Sequence, residues 1–552
     1  MASISVAFTL ATVHYQAGRL DLAEELCRRI VAAEPQHAEA WELLGTIALQ
    51  GGRPTQAIDY LRRALALQPE QPVLLNSLGN LLADQGGLDE AVACYERALA
   101  QKPTYDKAWY NLGHTYMSRG RPGEAVDCYR RAAELSPRRA QLSSTLLHAL
   151  HFCPGQTGPS IVAEHRRWME PLAQHAASLL RPYANDRTPD RRLRIGYVSP
   201  DFRQHAVGFN VRPLFERRDR GEAELFCYAG VARPDAMTER LRACADVWRN
   251  TLGLSDAALA QQIRDDRIDV LVDLALHTNG NRLGVFARRP APVQVTFAGY
   301  PGTTGLAAID YRLTDPYLDP PGSNDAHYAE QSWRLPRSFW CYWPLGTEPA
   351  VGEPPFQTQG GVTFGCLNSF RKVNEEVLRL WARVLGHVEG SQLLLLTGAG
   401  AHRDRVRELF AAHGVAPDRV TFVAPQPRQQ YLALYQRIDV ALDPFPYNGH
   451  TTSLDALWMG VPVVSLVGTT AVGRAGLSIL TNAGLPELAA ADADQYAHIA
   501  AALAAARPRL AELHATLRAR LQQSPLTDAA QFARGVEAAY RQMWCRWCAA
   551  TP

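Results

Sequence analysis

A superhelix of α-helical hairpins followed by two doubly wound α/β lobes is the fold that this sequence predicts. Gly18, Gly52, Gly86 and Gly120 recur every 34 residues, and Pro35, Pro69, Pro103 and Pro137 keep the same spacing. From Leu193 onward, short apolar runs alternate with segments of helical pattern, once up to Phe297 and again from Val362 to Leu466. A Pro-rich stretch, Pro344 to Pro355, separates the two series and reads as a hinge.

Length and composition agree with several packed domains. The chain has 552 residues, of which 47% are hydrophobic and 20% charged, as in ordinary globular proteins. Its 57 Lys and Arg against 55 Asp and Glu leave a net charge of +2, too balanced for a protein that draws affinity from nucleic-acid phosphates. No nucleic-acid partner is expected. No stretch reaches the ~18 apolar residues of a membrane span, and the first residues lack the positive start and small-residue cleavage site of a secretory signal. The expected location is the cytoplasm. Of ten cysteines only Cys545 and Cys548 form a CxxC, without a second pair or neighbouring histidines, so no metal is expected.

In each repeat, Trp41, Leu75 or Trp109 precedes a Leu-Gly pair (Gly45, Gly79, Gly113), where the missing side chain lets the partner helix approach. The second helix carries Ala57 and Ala64, Ala91 and Ala98, or Ala125 and Ala132, and stops before the repeating Pro. Cys94 and Cys128, also 34 apart, are expected in the core. The pattern resembles the tetratricopeptide repeat in about four units over residues 7–138. Such hairpins bury their apolar faces only by stacking, and the concave surface so formed suits a protein or peptide partner, or self-association. The expected boundaries are residues 1–138 for the repeats, 139–190 for a helical connector, 191–345 for the first lobe, and 346–552 for the second lobe with its final helix.

In the lobes, Leu193–Val198, Leu225–Tyr228, Val270–Leu274 and Val293–Phe297 read as strands, and so do Val362–Leu367, Leu393–Leu396, Val420–Val423, Val440–Leu442 and Val461–Leu466. Helices are expected over Glu375–Val388, Arg403–Ala412 and Gln531–Trp544. The chemistry concentrates where strands end. After Asp443 comes Pro-Phe-Pro-Tyr-Asn-Gly-His, then a helix starting near Thr451, whose free N–H groups and two hydroxyls, Thr451 and Thr452, form an anion cradle. Asp455 lies one turn on, placed to accept from a ribose or sugar hydroxyl. Lys372 sits in the loop Asn368 to Val373 and is one of only three lysines, with Lys102 and Lys107, in a chain that otherwise uses Arg. His205 and His277 follow strands of the first lobe and are expected to project over the cleft, beside the Gly- and Pro-rich loop Gly299 to Gly305.

With these residues in hand, the chain resembles the O-linked N-acetylglucosaminyltransferase family, in which tetratricopeptide repeats precede a two-lobed GT-B glycosyltransferase of Rossmann-like halves. The most specific pieces are Arg289-Pro-Ala-Pro-Val-Gln294 with Gly299-Tyr-Pro-Gly-Thr303, and Asn448-Gly-His-Thr-Thr452 with Asp455 and Trp458. The resemblance implies an inverting transfer of N-acetylglucosamine from UDP-GlcNAc to Ser or Thr hydroxyls of proteins, with no metal and no other cofactor. It further implies that Lys372, His450, Thr451 and Thr452 hold the diphosphate and Asp455 the ribose, while Gln426 and Arg428 flank the uracil and Tyr431 stacks on it. Pro301, Gly302 and Thr303 would line the donor site, with His205 the acceptor-side base and His277 a second candidate. Members with long arrays line the superhelix with an Asn ladder; here the equivalent positions are Leu43, Ser77 and Asn111. Two other readings stay open: a repeat scaffold whose lobes bind nucleotide without transfer, and a transferase with another UDP sugar or a non-protein acceptor.

Overall fold

The computed structural model describes residues 3–550, which divide into two compact units, the repeats up to Leu142 with Gly398–Val406, and the remainder from Ser143.

Eight helices, from Ile4–Gln16 to Pro122–Leu135, form four antiparallel hairpins in the first unit. The Leu-Gly position works by close approach: a Cβ on Gly79 would stand 2.6 Å from the Tyr95 ring, and one on Gly45 equally close to Leu61. Tyr95 is thereby sealed in the core and satisfies its hydroxyl on Asn80 Oδ1 at 2.8 Å. The repeat-equivalent Trp41 and Trp109 each donate their indole N–H to a carbonyl, of Pro35 and Pro103, at 2.9 Å. Cys94 and Cys128 are buried, and burial raises both thiols. In place of an Asn ladder, Asn111 donates to Asn76 Oδ1 at 2.9 Å.

The second unit carries two all-parallel sheets. The first has strands β1 (Leu193–Ser199), β2 (Ala223–Ala229), β3 (Val247–Asn250), β4 (Val270–Asp273), β5 (Val293–Thr296), β6 (Tyr311–Thr314) and β7 (Gln331–Arg334), in the order β3-β2-β1-β4-β5-β6-β7. The second has β8 (Thr363–Cys366), β9 (Gln392–Leu396), β10 (Val420–Val423), β11 (Val440–Leu442), β12 (Val463–Leu466) and β13 (Ala489–Ala490), in the order β10-β9-β8-β11-β12-β13. Parallel strands covered by helices on both faces are hidden from water on both, and β4, β5, β8 and β11 are buried at every position. In each sheet the order reverses once, between β1 and β4 and between β8 and β11, and crevices open at such switch points beyond the strand carboxyl ends.

Buried polar contacts join the lobes. Asp315 of the first accepts from Ser478 Oγ of the second at 2.6 Å and from Phe339 N at 2.9 Å, and Arg474 donates to Tyr317 O at 3.0 Å. The final helix, Ala529–Ala549, packs on the first lobe: Glu537 accepts from Asp219 N at 2.8 Å, and Tyr540 meets Tyr197 hydroxyl to hydroxyl at 3.4 Å. Among the described residues no helix is long and apolar enough to cross a membrane.

Candidate active site

The switch point of the second sheet brings the loops after β8 and β11 together. Asp443, at the end of β11, is buried and orders the loop: it accepts from Gly449 N at 2.6 Å, Ser465 Oγ at 2.6 Å and Ser453 Oγ at 3.3 Å. Position 449 has room for no side chain, since a Cβ there would lie 2.1 Å from Ser453 Oγ. Asn448, fully buried, spans the cradle by donating its amide to Pro444 O at 3.0 Å, and its own carbonyl accepts from Lys372 Nζ at 2.6 Å. Lys372 thus stands across from the start of the helix Thr451–Trp458, over the Tyr447 ring at 4.3 Å. One of its three N–H donors is spent on Asn448, leaving two for an anion. Burial lowers its pKa to about 8, against the pull of Asp443; the same burial lifts the Asp443 carboxyl to about 6.

The amides of Thr451 and Thr452 open the helix and have no intrahelical acceptor, and both side chains are half-buried. His450, expected on the diphosphate, carries a neutral ring. Burial holds its imidazole well below the usual range, hence neutral, despite a hydrogen bond to the Val472 backbone that works the other way. Its Nε2 is buried with no partner. A neutral ring that gives its one N–H to a backbone carbonyl offers a lone pair at the other nitrogen, which suits a hydroxyl better than a phosphate oxygen.

At the nucleoside end, Asp455 and Arg428, expected on ribose and uracil, are bonded to each other: Arg428 Nη1 and Nη2 reach Asp455 Oδ2 and Oδ1 at 2.6 and 2.5 Å. Tyr342, from the segment joining the lobes, donates to Oδ1 at 2.9 Å. Three donors on about four acceptor positions leave one for a ribose hydroxyl. The Arg428 guanidinium lies 5.6 Å from the Tyr431 ring and 5.4 Å from that of Phe209 in the first lobe. Tyr431, in the helix Arg428–Ala433, ties its hydroxyl to that of Tyr435 at 3.0 Å, and Gln426 is exposed on the segment leading into that helix.

The first lobe departs from expectation at two places. His277 does not project over the cleft. It is 2% exposed, with Nδ1 3.1 Å from Ser144 Oγ and Nε2 2.9 Å from Thr304 O, and burial drives its pKa far down. Both nitrogens are committed, and the ring braces the connector against the loop. Thr303 is likewise committed: its hydroxyl donates to buried Glu330 at 2.7 Å and accepts from Ala329 N at 3.1 Å. Pro301 and Gly302 are buried beside it and, with Thr469 and Thr470 of the second lobe, line a small cavity of about 20 Å³. His205 keeps an outward position. It caps the helix Ala206–Arg217 and its side chain is 37% exposed, with burial lowering its pKa and Asp201 opposing that.

The connector contributes a residue that the sequence reading missed. His148, near the end of helix Ala140–Leu150, stands 5.0 Å from the Tyr300 ring and 6.5 Å from Tyr447, between the first-lobe loop and the lysine cradle. Burial and the charges of Arg371 and Lys372 lower its pKa to about 3, so it is neutral. His148, His151 and His165 crowd into a connector with no repeat signature, and that clustering was the available signal. Among the described residues no group of three or more His, Cys, Asp or Glu side chains is arranged to hold a metal ion.

Residues 173–342 and 357–536, both lobes, match the profile of glycosyl transferase family 41. The chain belongs to that family. Tetratricopeptide repeat profiles match residues 8–72, 79–120 and 106–139. Among family 41 relatives, a probable UDP-N-acetylglucosamine–peptide N-acetylglucosaminyltransferase SPINDLY of Petunia hybrida is 36% identical over 427 residues, 75% of this chain and 45% of the relative. The SEC protein of Arabidopsis thaliana, described by the same activity, is 33% identical over 369 residues, 65% of this chain and 38% of the relative. The chain therefore spans about half the length, or less, of the curated relatives it matches. A solved structure of an O-GlcNAc transferase from Thermobaculum terrenum is 35% identical and superposes with a TM-score of 0.80, covering 99% of this chain and 98% of that one.

Proposed function

We propose that this chain is an inverting transferase that moves N-acetylglucosamine from UDP-GlcNAc to Ser or Thr hydroxyls of polypeptides without a metal ion. The observation that carries the reading is Lys372, held by Asn448 O at 2.6 Å across from the open N-terminus of the helix Thr451–Trp458. A half-buried ammonium with two spare donors, facing two free backbone amides, suits the charge of a diphosphate leaving group. In the reaction the acceptor oxygen attacks C1 of the sugar from the face opposite the diphosphate. The C1–O bond to the β-phosphate breaks with its electron pair leaving on UDP, and the hydroxyl proton passes to His205. Lys372 and the amides of Thr451 and Thr452 stabilise the charge that develops on UDP. The neutral His450 lone pair accepts from a donor hydroxyl, and the fourth acceptor position of Asp455 takes the ribose.

The donor and acceptor identities come from the names of the family 41 relatives and of the Thermobaculum enzyme. The concave face of the repeats is read as a surface for protein partners or self-association. Ten cysteines, all free, fit a reducing cytoplasmic setting.

Calorimetry with UDP and UDP-GlcNAc in EDTA, on the parent and on Lys372→Ala, tests the donor site. Turnover with UDP and GDP sugars on a peptide panel, read by mass, tests the transfer. Metal-independent binding lost in the variant, with mass gain from UDP-GlcNAc, is expected. Binding that needs a divalent cation, or gain from a different sugar nucleotide, overturns the corresponding part.

A further inference from the structure

We infer that Asp201 is a positioning residue for His205, selecting the imidazole tautomer that can take the acceptor's proton. The inference rests on the base role proposed for His205 and adds the group on which that role depends.

Asp201 and His205 lie four residues apart in the loop that leaves β1 at the switch point of the first sheet. The loop is tightly built. Ser199 Oγ accepts from Asp201 N at 2.9 Å, Arg203 N donates to Asp201 O at 2.8 Å, and a Cβ on Gly208 would lie 2.2 Å from Arg203 O. Asp201 is only 6% exposed although it is ionisable, and its Oδ1 accepts from Arg203 Nη2 at 3.1 Å. Its other oxygen, Oδ2, stands 3.6 Å from His205 Nδ1.

The same Nδ1 has a competing neighbour, the Val207 backbone N–H, at 3.3 Å. The two ask for opposite protonation. Accepting from Val207 requires a lone pair on Nδ1, which puts the ring proton on Nε2 and leaves no base facing the cleft. Donating to Asp201 puts the proton on Nδ1 and frees the Nε2 lone pair for the acceptor hydroxyl. A shortening of 3.6 Å to hydrogen-bond distance, of the kind expected when substrate closes a site, converts the first arrangement to the second. Once His205 is protonated, the carboxylate also stabilises the imidazolium. Asp201 and Arg203 of the same loop are the charged groups facing the ring, while Asp235, at the start of the helix Ala236–Cys244, is spent on Gln204 N at 2.8 Å.

Asp201→Asn keeps the shape but turns an acceptor towards Nδ1 into an amide N–H, which enforces the inactive tautomer. With UDP-GlcNAc and the best peptide of the panel, turnover falls about 100-fold or more, with UDP affinity unchanged. Nitrogen NMR of His205, in the complex with UDP and peptide, reads Nδ1–H in the parent and Nε2–H in the variant. Asp201→Asn turnover within threefold of the parent, or the same tautomer in both proteins, overturns the inference. If the variant fails to bind UDP, the parent spectrum alone decides, and Nε2–H there overturns it. His205→Ala separates the two claims: loss of turnover there but not in Asp201→Asn removes only the pairing, whereas full turnover in both removes the base role itself.

Discussion

The guanidinium of Arg428 closes on both oxygens of the Asp455 carboxylate, at 2.6 and 2.5 Å, inside a site where the Asp455 side chain is 2% exposed. Removing one member of such a pair leaves the other charge buried and uncompensated. Arg428→Ala is expected to destabilise the second lobe by about 3 kcal/mol, as Arg428 is partly solvated and falls at the low end of the range for broken buried pairs. The loss appears in urea unfolding. Arg428→Ala together with Asp455→Asn should recover most of the stability but not UDP binding, and a double variant no more stable than Arg428→Ala refutes the coupling.

Lys372 couples donor binding to protons. Its pKa is lowered to about 8 by burial, and a bound diphosphate raises it again by supplying a counter-charge. Below pH 8 the lysine is already charged and binding takes up no proton there. Above pH 8 the free protein has lost that proton, so UDP affinity falls about tenfold per pH unit and binding takes up close to one proton. Calorimetry at pH 9 in buffers of different ionisation enthalpy measures this directly, and proton uptake near zero contradicts it. The stability sign is the reverse of a salt bridge. Because the folded pKa lies below the unfolded one, the charged lysine penalises the folded state fully below pH 8, and the penalty fades as pH rises towards 10.5. Lys372→Met therefore raises stability at pH 7 by about 3 kcal/mol while abolishing transfer, and the gain narrows above pH 8.

Much of the fold was legible because periodicity is local. The 34-residue repeat and the apolar runs of β1, β2, β4, β5 and β8 to β12 need no knowledge of distant partners. The strands that escaped are β3, β6, β7 and the two-residue β13. β6 contains Arg312, buried only because Asp319 pairs with it at 2.7 Å and Tyr328 stacks on it at 3.7 Å. No pattern within β6 announces those partners. The cradle was legible for a similar reason: Lys372, Asn448 and Thr451 each follow a strand, and the switch-point rule brings strand ends together. His277 followed a strand too, but its partner Ser144 lies 133 residues away in the connector, so its burial could not be read from its neighbourhood.

His277 and His205 separate by experiment. His277→Ala removes a brace and leaves Ser144 Oγ and Thr304 O without a buried partner, at a cost of about 1 to 3 kcal/mol for each unsatisfied group. Its turnover, measured below the onset of unfolding, should stay within about tenfold of the parent, against a loss of about 100-fold or more for His205→Ala. A His277 variant of normal stability with turnover as low as that of the His205 variant reverses the two roles.

Gly449 tests whether the backbone of the cradle, and not its side chains alone, holds the donor. Its amide ties the loop to Asp443 at 2.6 Å, and its α-carbon faces Ser453 Oγ and Asp443 Oδ1 so closely that a Cβ would lie 2.1 and 2.7 Å from them. Neither neighbour is free to move far: Asp443 is fixed by Ser465 at 2.6 Å, and Ser453 stands in the first turn of the helix whose amides form the anion site. The methyl of Gly449→Ala must therefore push the loop away from β11, carrying Asn448 O from Lys372 and rotating the Thr451 amide. Loss of the lysine contact and of one oriented amide corresponds to about 3 kcal/mol, or a rise in UDP Kd of about 100-fold. Because the clash lies at the loop and not in the sheet, urea unfolding should shift by less than the binding does. Calorimetry that finds UDP affinity within threefold of the parent shows that the backbone path through Gly449 does not position the donor site.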